Sequence, residues 1–280
     1  MFVCIFIELM MKRLLLLVSF LSLLSISNAQ SPAYLEKMDV VYTSAQDSYS
    51  QEKCRVNIHF PTNEKDFVTV IWFHGGGLTG GRNDIPQELK NKGIGVISVG
   101  YRFTPNVRVE DILHDAAEAV KWSYTHVEKY GGNKNKFVLA GHSAGAYISL
   151  MLGLNKSYLA EKGIDVDSFM GIGALSSQTI THVAARKEKR IPELQPLIDE
   201  WAPLFWVRKD APPIMLVTGD RELEMLGRYE ENAYLERMLK LVGHKAVSLM
   251  ELDGYDHGMT YPAFPLLLKQ IDRWAKEDAP

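Results

Sequence analysis

Cysteine is scarce in this chain: 280 residues contain two, Cys4 and Cys54. There is no Cys pair, no His-x-x-x-His helix and no carboxylate cluster at ligand spacing, so the sequence indicates no metal and no cofactor. Basic residues are not in excess either. Lys+Arg 31 against Asp+Glu 34 gives a net charge of -3, which leaves nothing to neutralise a phosphate backbone and argues against nucleic acid as a partner. Long apolar runs are missing with one exception, residues 14–26. That run follows Lys12 and Arg13, is interrupted by Ser19, Ser22 and Ser25, and ends in Ser27-Asn28-Ala29. It is shorter than the ~20 residues needed to cross a bilayer and has the charged, apolar and small-residue parts of a signal peptide. The expectation is a signal peptide over residues 1–29, a mature chain starting near Gln30, export to the periplasm or medium, and no stable membrane anchor. A second apolar stretch, residues 2–9, is unusual for the start of a signal and points to Met10 or Met11 as the translation start instead of Met1. An anchor built from both stretches is the alternative.

Cleavage near Ala29 removes Cys4, so no intrachain disulfide remains and Cys54 reads as a structural residue. Stability must then come from a core, which about 250 residues can supply. With 46% hydrophobic and 23% charged residues the composition is that of an ordinary globular protein. Val56, Ile58 and Phe60 alternate as in a half-buried strand. Residues 68–73, 94–99, 137–140, 169–175 and 214–217 are nearly continuous apolar runs, as expected of parallel strands covered on both faces. Between them lie helical stripes: Val109, Ile112, Leu113, Ala116 and Val120; then Tyr234, Met238 and Leu241; then Phe264, Leu267, Leu268, Ile271 and Trp274. This alternation predicts a single α/β domain over residues 30–280 with a mostly parallel sheet and helices on both faces. Residues 176–213 break the pattern with charges, prolines and two tryptophans, Trp201 and Trp206. A connection that long predicts a cap-like insertion over the carboxyl edge of the sheet.

Chemistry concentrates in three loops. Gly141-His142-Ser143-Ala144-Gly145 lies between a strand-like and a helical segment. In that setting a serine on a sharp, strained turn presents its hydroxyl above the sheet, and glycines are needed where larger side chains would collide. His74-Gly75-Gly76-Gly77 follows another strand-like run, and consecutive glycines can aim backbone N–H groups at a developing oxyanion. The same residues also read as Gly75-x-Gly77-x-x-Gly80, a dinucleotide fingerprint. That reading ranks lower, because the acidic residue it needs about 20 positions on is missing; the chain there has Val99-Gly100-Tyr101. Of the eight histidines, His257 stands in Gly254-Tyr255-Asp256-His257-Gly258, just past a late strand, where it can reach a serine as a base. Where a serine on a strand-turn-helix elbow is paired with a histidine, the acid lies between the two in the chain. Thr218-Gly219-Asp220-Arg221-Glu222 offers Asp220 and Glu222.

Taken with Tyr101-Arg102-Phe103-Thr104-Pro105, Asp115 and Trp122, Tyr130-Gly131-Gly132, and Pro212-Pro213, these motifs occur in an order that resembles the α/β-hydrolase superfamily. The likeness is to carboxylesterases of the hormone-sensitive-lipase-like and bacterial feruloyl-esterase-like groups, over nearly all of the mature chain. The resemblance implies Ser143 as nucleophile, His257 as general base and acid, and the N–H groups of Gly76, Gly77 and Ala144 as oxyanion hole. It favours Glu222 over Asp220 as the acid. Where many relatives have a Gly-x-Tyr-Asp-like turn, this chain has Ser176-Ser177-Gln178-Thr179, so the substrate pocket is expected to differ. The expected activity is hydrolysis of small-molecule or saccharide esters through an acyl-enzyme, acetyl or feruloyl esters of polysaccharides being the family's examples. Rival readings are a prolyl-oligopeptidase-like peptidase or amidase and a catalytically silent binding protein.

Overall fold

A computed structural model describes residues 33–225 and 227–277. The signal peptide and translation start expected from residues 1–29 lie outside them. One sheet of eight strands organises the rest, in the order β1-β2-β4-β3-β5-β6-β7-β8. Its strands are β1 (Tyr34–Val41), β2 (Arg55–Pro61), β3 (Phe67–Phe73), β4 (Gly95–Val99), β5 (Gly132–His142), β6 (Gly171–Leu175), β7 (Ile214–Gly219) and β8 (Val247–Leu252). The pairs β1/β2 and β2/β4 are antiparallel and all others parallel. Helices are α1 (Ser48–Lys53), α2 (Val109–His126), α3 (Ala144–Leu154), α4 (Ser157–Ala160), α5 (Val183–Glu188), α6 (Arg228–Leu241) and α7 (Thr260–Glu277). Among the described residues no helix is long and apolar enough to cross a membrane.

The continuous apolar runs are explained by cover on both faces. Along β3, Ile71 and Phe73 join one core with α2 and α3, while Val70 and Trp72 join a second with α7. Alternate residues thus enter different cores, and neither set can be polar. Cys54 is a buried free thiol whose pKa burial raises to about 12, which leaves it protonated and inert.

Three elements differ from the sequence pattern. Strand β2 is buried throughout from Val56 to Pro61 instead of half-buried. Its polar residues are satisfied locally: Asn57 donates to the Asn83 carbonyl, and His59 stacks on Tyr34 and pairs with Glu36. Strand β1 has no apolar run to announce it, because half of its residues are exposed and none is buried. Helix α6 buries Arg228, Asn232, Leu235 and Leu239, while Tyr234 and Leu241 are exposed. Of the expected stripe only Met238 packs against the core; two of the four buried positions are polar, so hydrophobicity alone misplaced the other two members of the stripe.

Candidate active site

Ser143 stands between β5 and α3 with φ 55° and ψ -117°, a conformation that costs energy for any L-residue with a side chain. Its N–H donates to the Leu175 carbonyl at 2.8 Å and its carbonyl accepts from the Tyr147 N–H at 3.0 Å, which hold the turn in place. The glycines beside it permit the close approach. A Cβ on Gly145 would lie 1.9 Å from the Phe73 carbonyl oxygen, and one on Gly141 would lie 2.4 Å from the Gly145 carbonyl carbon.

The His257 loop follows β8 and brings Nε2 to 2.9 Å from Ser143 Oγ. His142 supports it by donating its Nε2–H to the His257 carbonyl at 2.9 Å. Burial, then the neighbouring His257, lowers the His142 pKa to about 4, so this support is given by a neutral ring.

The carboxylate that meets His257 is Glu224, and here the sequence expectation is corrected. His257 Nδ1–H donates to Glu224 Oε1 at 2.7 Å. Neither Glu222 nor Asp220 occupies that position. Glu222 is exposed, and Asp220 uses its carboxylate to accept the N–H groups of Glu222 at 2.9 Å and Gly254 at 2.9 Å. The chain tightens after Gly219: the Asp220 carbonyl accepts from the N–H groups of Leu223 and Glu224. That turn carries Glu222 outward and Glu224 inward. Glu224 Oε1 also accepts the Met225 N–H, and Oε2 accepts the Ser176 hydroxyl at 2.8 Å and the Gly219 N–H at 3.1 Å. Burial alone would raise this carboxyl, but the hydrogen bonds from His257, Met225 and Ser176 outweigh it and bring the pKa down to about 2. An ionised carboxylate fixes the Nδ1–H tautomer and leaves Nε2 to accept the serine proton.

Ser176 carries no mark in the sequence of a site residue. Its φ is 51°, and its hydroxyl lies between Glu224 Oε2 and His257 Nδ1, 2.9 Å from the latter. Arg228 Nη1 donates to the Ser176 carbonyl and holds its backbone.

Gly76, Gly77, Ser143 and His257 share a cavity of about 560 Å³, large enough for a small organic substrate. Gly76 and Gly77 have φ of 114° and 64°, and a Cβ on Gly76 would lie 2.1 Å from the Gly80 carbonyl oxygen. Among the described residues no protein acceptor meets the N–H of Gly76 or Gly77. Ala144 opens α3, where the first N–H groups of a helix have no acceptor within it. His74 shapes the glycine loop from behind. It donates Nδ1–H to the Gly75 carbonyl at 2.7 Å, stacks on Tyr101, and accepts the Tyr101 hydroxyl at its own carbonyl. The loop after β4 is tied to α2 by a two-pronged pair, with Arg102 Nε and Nη2 2.8 and 2.7 Å from the Asp115 carboxylate.

Residues 176–213 supply Gln178, His182, Val183, Arg186, Glu193 and Leu194 to the cavity wall. His182 caps α5 by accepting the Ala184 N–H at 3.1 Å. Burial lowers its pKa to about 3, so it is neutral. Trp201 and Trp206 are half-buried against the core, and the Trp201 carbonyl accepts the Tyr147 hydroxyl. Among the described residues no group of three or more His, Cys, Asp or Glu could hold a metal ion.

The chain resembles known proteins in sequence and in fold. A family model described as BD-FAE matches residues 56–225. Esterase LipC of Mycobacterium tuberculosis is 28% identical over 233 residues, which cover 72% of this chain and 56% of LipC; the chain thus spans little more than half of that relative's length. Two solved structures are similar. A truncated carbohydrate esterase from gut microbiota has a TM-score of 0.71 at 17% identity, covering 89% of this chain and 98% of that one. An inhibited Esterase B from Lactobacillus rhamnosis has a TM-score of 0.71 at 19% identity, covering 90% of this chain and 91% of that one.

Proposed function

Because the chain belongs to the BD-FAE family and has the α/β-hydrolase fold, we propose that it is a serine carboxylic-ester hydrolase working through an acyl-enzyme. The observation that carries the reading is the continuous contact from Ser143 Oγ to His257 to Glu224, at 2.9 and 2.7 Å. In this mechanism His257 Nε2 takes the serine proton as Oγ attacks the ester carbonyl. Glu224 stabilises the imidazolium that forms. The N–H groups of Gly76, Gly77 and Ala144 receive the oxyanion, and charge develops where donors already point. The intermediate collapses, His257 passes its proton to the leaving alcohol, and Ser143 keeps the acyl group. Water, deprotonated by His257, then releases the acid by the same steps.

Small-molecule or saccharide esters are the proposed substrates, supported by the names of the similar esterases and by the size of the cavity. Export forms part of the proposal and rests on residues 12–29 of the sequence. N-terminal sequencing of protein recovered outside the cytoplasm is expected to begin near Gln30; recovery of the uncleaved chain in the cytoplasm contradicts it.

The test of activity is hydrolysis of acetyl, butyryl and octanoyl nitrophenyl esters beside a folded Ser143→Ala variant. Turnover is expected for at least one ester and is expected to fall by at least about 10³-fold in the variant. Absence of turnover, or turnover equal in the variant, rejects Ser143 as nucleophile.

A further inference from the structure

The wall of the cavity carries charge that hydrolysis of a neutral ester does not require. Arg186 and Arg228 both form part of it, although only 4% and 6% of their surfaces are exposed. Arginine this buried is ordinarily paired with a carboxylate. Among the described residues neither guanidinium forms an ion pair. Arg186 Nη1 donates to the carbonyls of Glu193 and Gln195 at 2.6 and 2.8 Å, and its buried Nε has no acceptor. Arg228 gives Nη1 to the Ser176 carbonyl and Nη2 to Met225 Sδ at 3.8 Å.

The neighbouring acids are turned elsewhere. Glu224 uses both oxygens on His257, Ser176 and two backbone N–H groups. Glu231 Oε2 accepts the N–H groups of Thr179 and Ile180. Both stand behind the wall, whose lining includes neither. Glu193 does line it, but its side chain is 66% exposed and lies 3.9 Å from Lys187. The two histidines in the wall other than His257, His142 and His182, are held neutral by burial. Two buried cations therefore face the cavity without an ion-paired carboxylate; Glu224 and Glu231 act on Arg228, and Glu231 on Arg186, only from behind the wall.

We propose that the substrate is an ester that also carries a carboxylate, and that Arg186 and Arg228 bind this carboxylate while Ser143 attacks the ester carbonyl. The proposal rests on the serine-hydrolase reading above. A guanidinium fork matches a carboxylate in geometry as well as charge, and in a cavity shielded from water the pairing is stronger than at an exposed site. The arginines make specificity contacts and take no part in bond breaking. The ester is split by water to an acid and an alcohol as before, and the bound carboxylate is unchanged.

The experiment uses two pairs of esters that differ only in that charge: 4-acetoxybenzoate with its methyl ester, and mono-4-nitrophenyl adipate with its methyl ester. The first places the carboxylate on the alcohol side, the second on the acyl side. Each kcat/KM is divided by the rate of the same ester with hydroxide, which removes intrinsic reactivity. In at least one pair the charged ester is expected to be preferred at least about tenfold. The preference is expected to shrink in Arg186→Gln, mainly through KM, and in Arg228→Gln, where the neutral ester of each pair measures separately any loss that comes through Ser176. Should a variant fail to fold, inhibition of wild-type hydrolysis of the neutral esters by adipate against adipamide measures the same recognition, with adipate expected to bind tighter. Hydrolysis of the neutral esters without preference for the charged member of either pair overturns the proposal and leaves the hydrolase reading standing. A preference that survives in both folded variants also overturns it, since the arginines then only brace the carbonyls of Ser176, Glu193 and Gln195. Failure to hydrolyse any of the four while the acetyl, butyryl or octanoyl nitrophenyl ester is turned over overturns the proposal alone; failure on all of them rejects the hydrolase reading, and the proposal falls with it.

Discussion

Three acids stand two residues apart after β7, Asp220, Glu222 and Glu224, and a single turn decides which of them meets His257. The Asp220 carbonyl accepts from Leu223 and Glu224, so the third acid points in and the second points out. Glu224→Gln is expected to lower kcat by about 10³ to 10⁴-fold, because the amide no longer holds the imidazole in its working tautomer. Glu222→Gln is expected to stay within about threefold of the parent, since an exposed loop charge contributes little. Steady-state kinetics on the three proteins decide the matter, and equal losses in both variants contradict the assignment of Glu224. Ser176 permits a sharper test. Its φ of 51° suits glycine, so Ser176→Gly removes the hydroxyl on Glu224 without adding backbone strain. One hydrogen bond to a carboxylate is worth about 1.5 to 3 kcal/mol. A fall in kcat of about tenfold or more, with a thermal midpoint near that of the parent, is the expected result; an unchanged kcat removes Ser176 from the positioning of His257. At this scale Ser143 and His257 were legible in the sequence, because each is marked by its own glycine-bounded loop next to a strand. Glu224 was not, because nothing in the local sequence separates three alternating acids.

Among the elements, α6 best illustrates the difference between pattern and packing. Leu235 and Leu239 enter a core with β6 and β7, whereas Tyr234 is 50% exposed. Leu235→Ala is expected to cost about 2 to 5 kcal/mol of unfolding free energy through the cavity it leaves, while Tyr234→Ala should stay within about 0.5 kcal/mol. Urea denaturation of the two variants tests the assignment, and the reverse ranking contradicts it. The first turn of the buried face holds Arg228 and Asn232 because it abuts the Ser176–Ser177 turn, not the apolar core; Asn232 donates to the Ser177 carbonyl at 2.7 Å. The helix starts beside the active site and ends against apolar strands, and a periodicity search averages the two. Helices α2 and α7 contact apolar surface along their lengths, and their stripes were read correctly.

For the molecule as a whole, the consequence of so much polar burial is sensitivity to acid. The pKa values of His74, His142 and His182 are lowered from 6.5 to about 4, 4 and 3, in each case chiefly by burial. The unfolded chain therefore binds more protons than the folded one once the pH falls below 6.5, and stability is lost down to the folded values. Each such histidine contributes a slope of up to about 1.4 kcal/mol per pH unit. Glu224 acts in the same direction further down, its stabilisation present above pH 4.5 and lost toward pH 2. The urea midpoint is expected to fall steadily from pH 6.5 to 4.5, before most carboxylates titrate. A flat midpoint over that range contradicts the burial of neutral histidines.

The sequence by itself determined the parallel strands, because a strand covered on both faces must be apolar at every position, and the serine and histidine loops, because strained turns beside strands require glycine at local spacing. It also determined that residues 176–213 were not part of the regular alternation. Only the tertiary structure decided which acid completes the contact with His257, which face of α6 is buried, and that Arg186 and Arg228, 42 positions apart in the chain, enter one cavity wall. These depend on where chain segments distant in sequence come to lie. A polar residue carries no mark in its own neighbourhood of whether it will face water or a buried partner, and the fold supplies that partner.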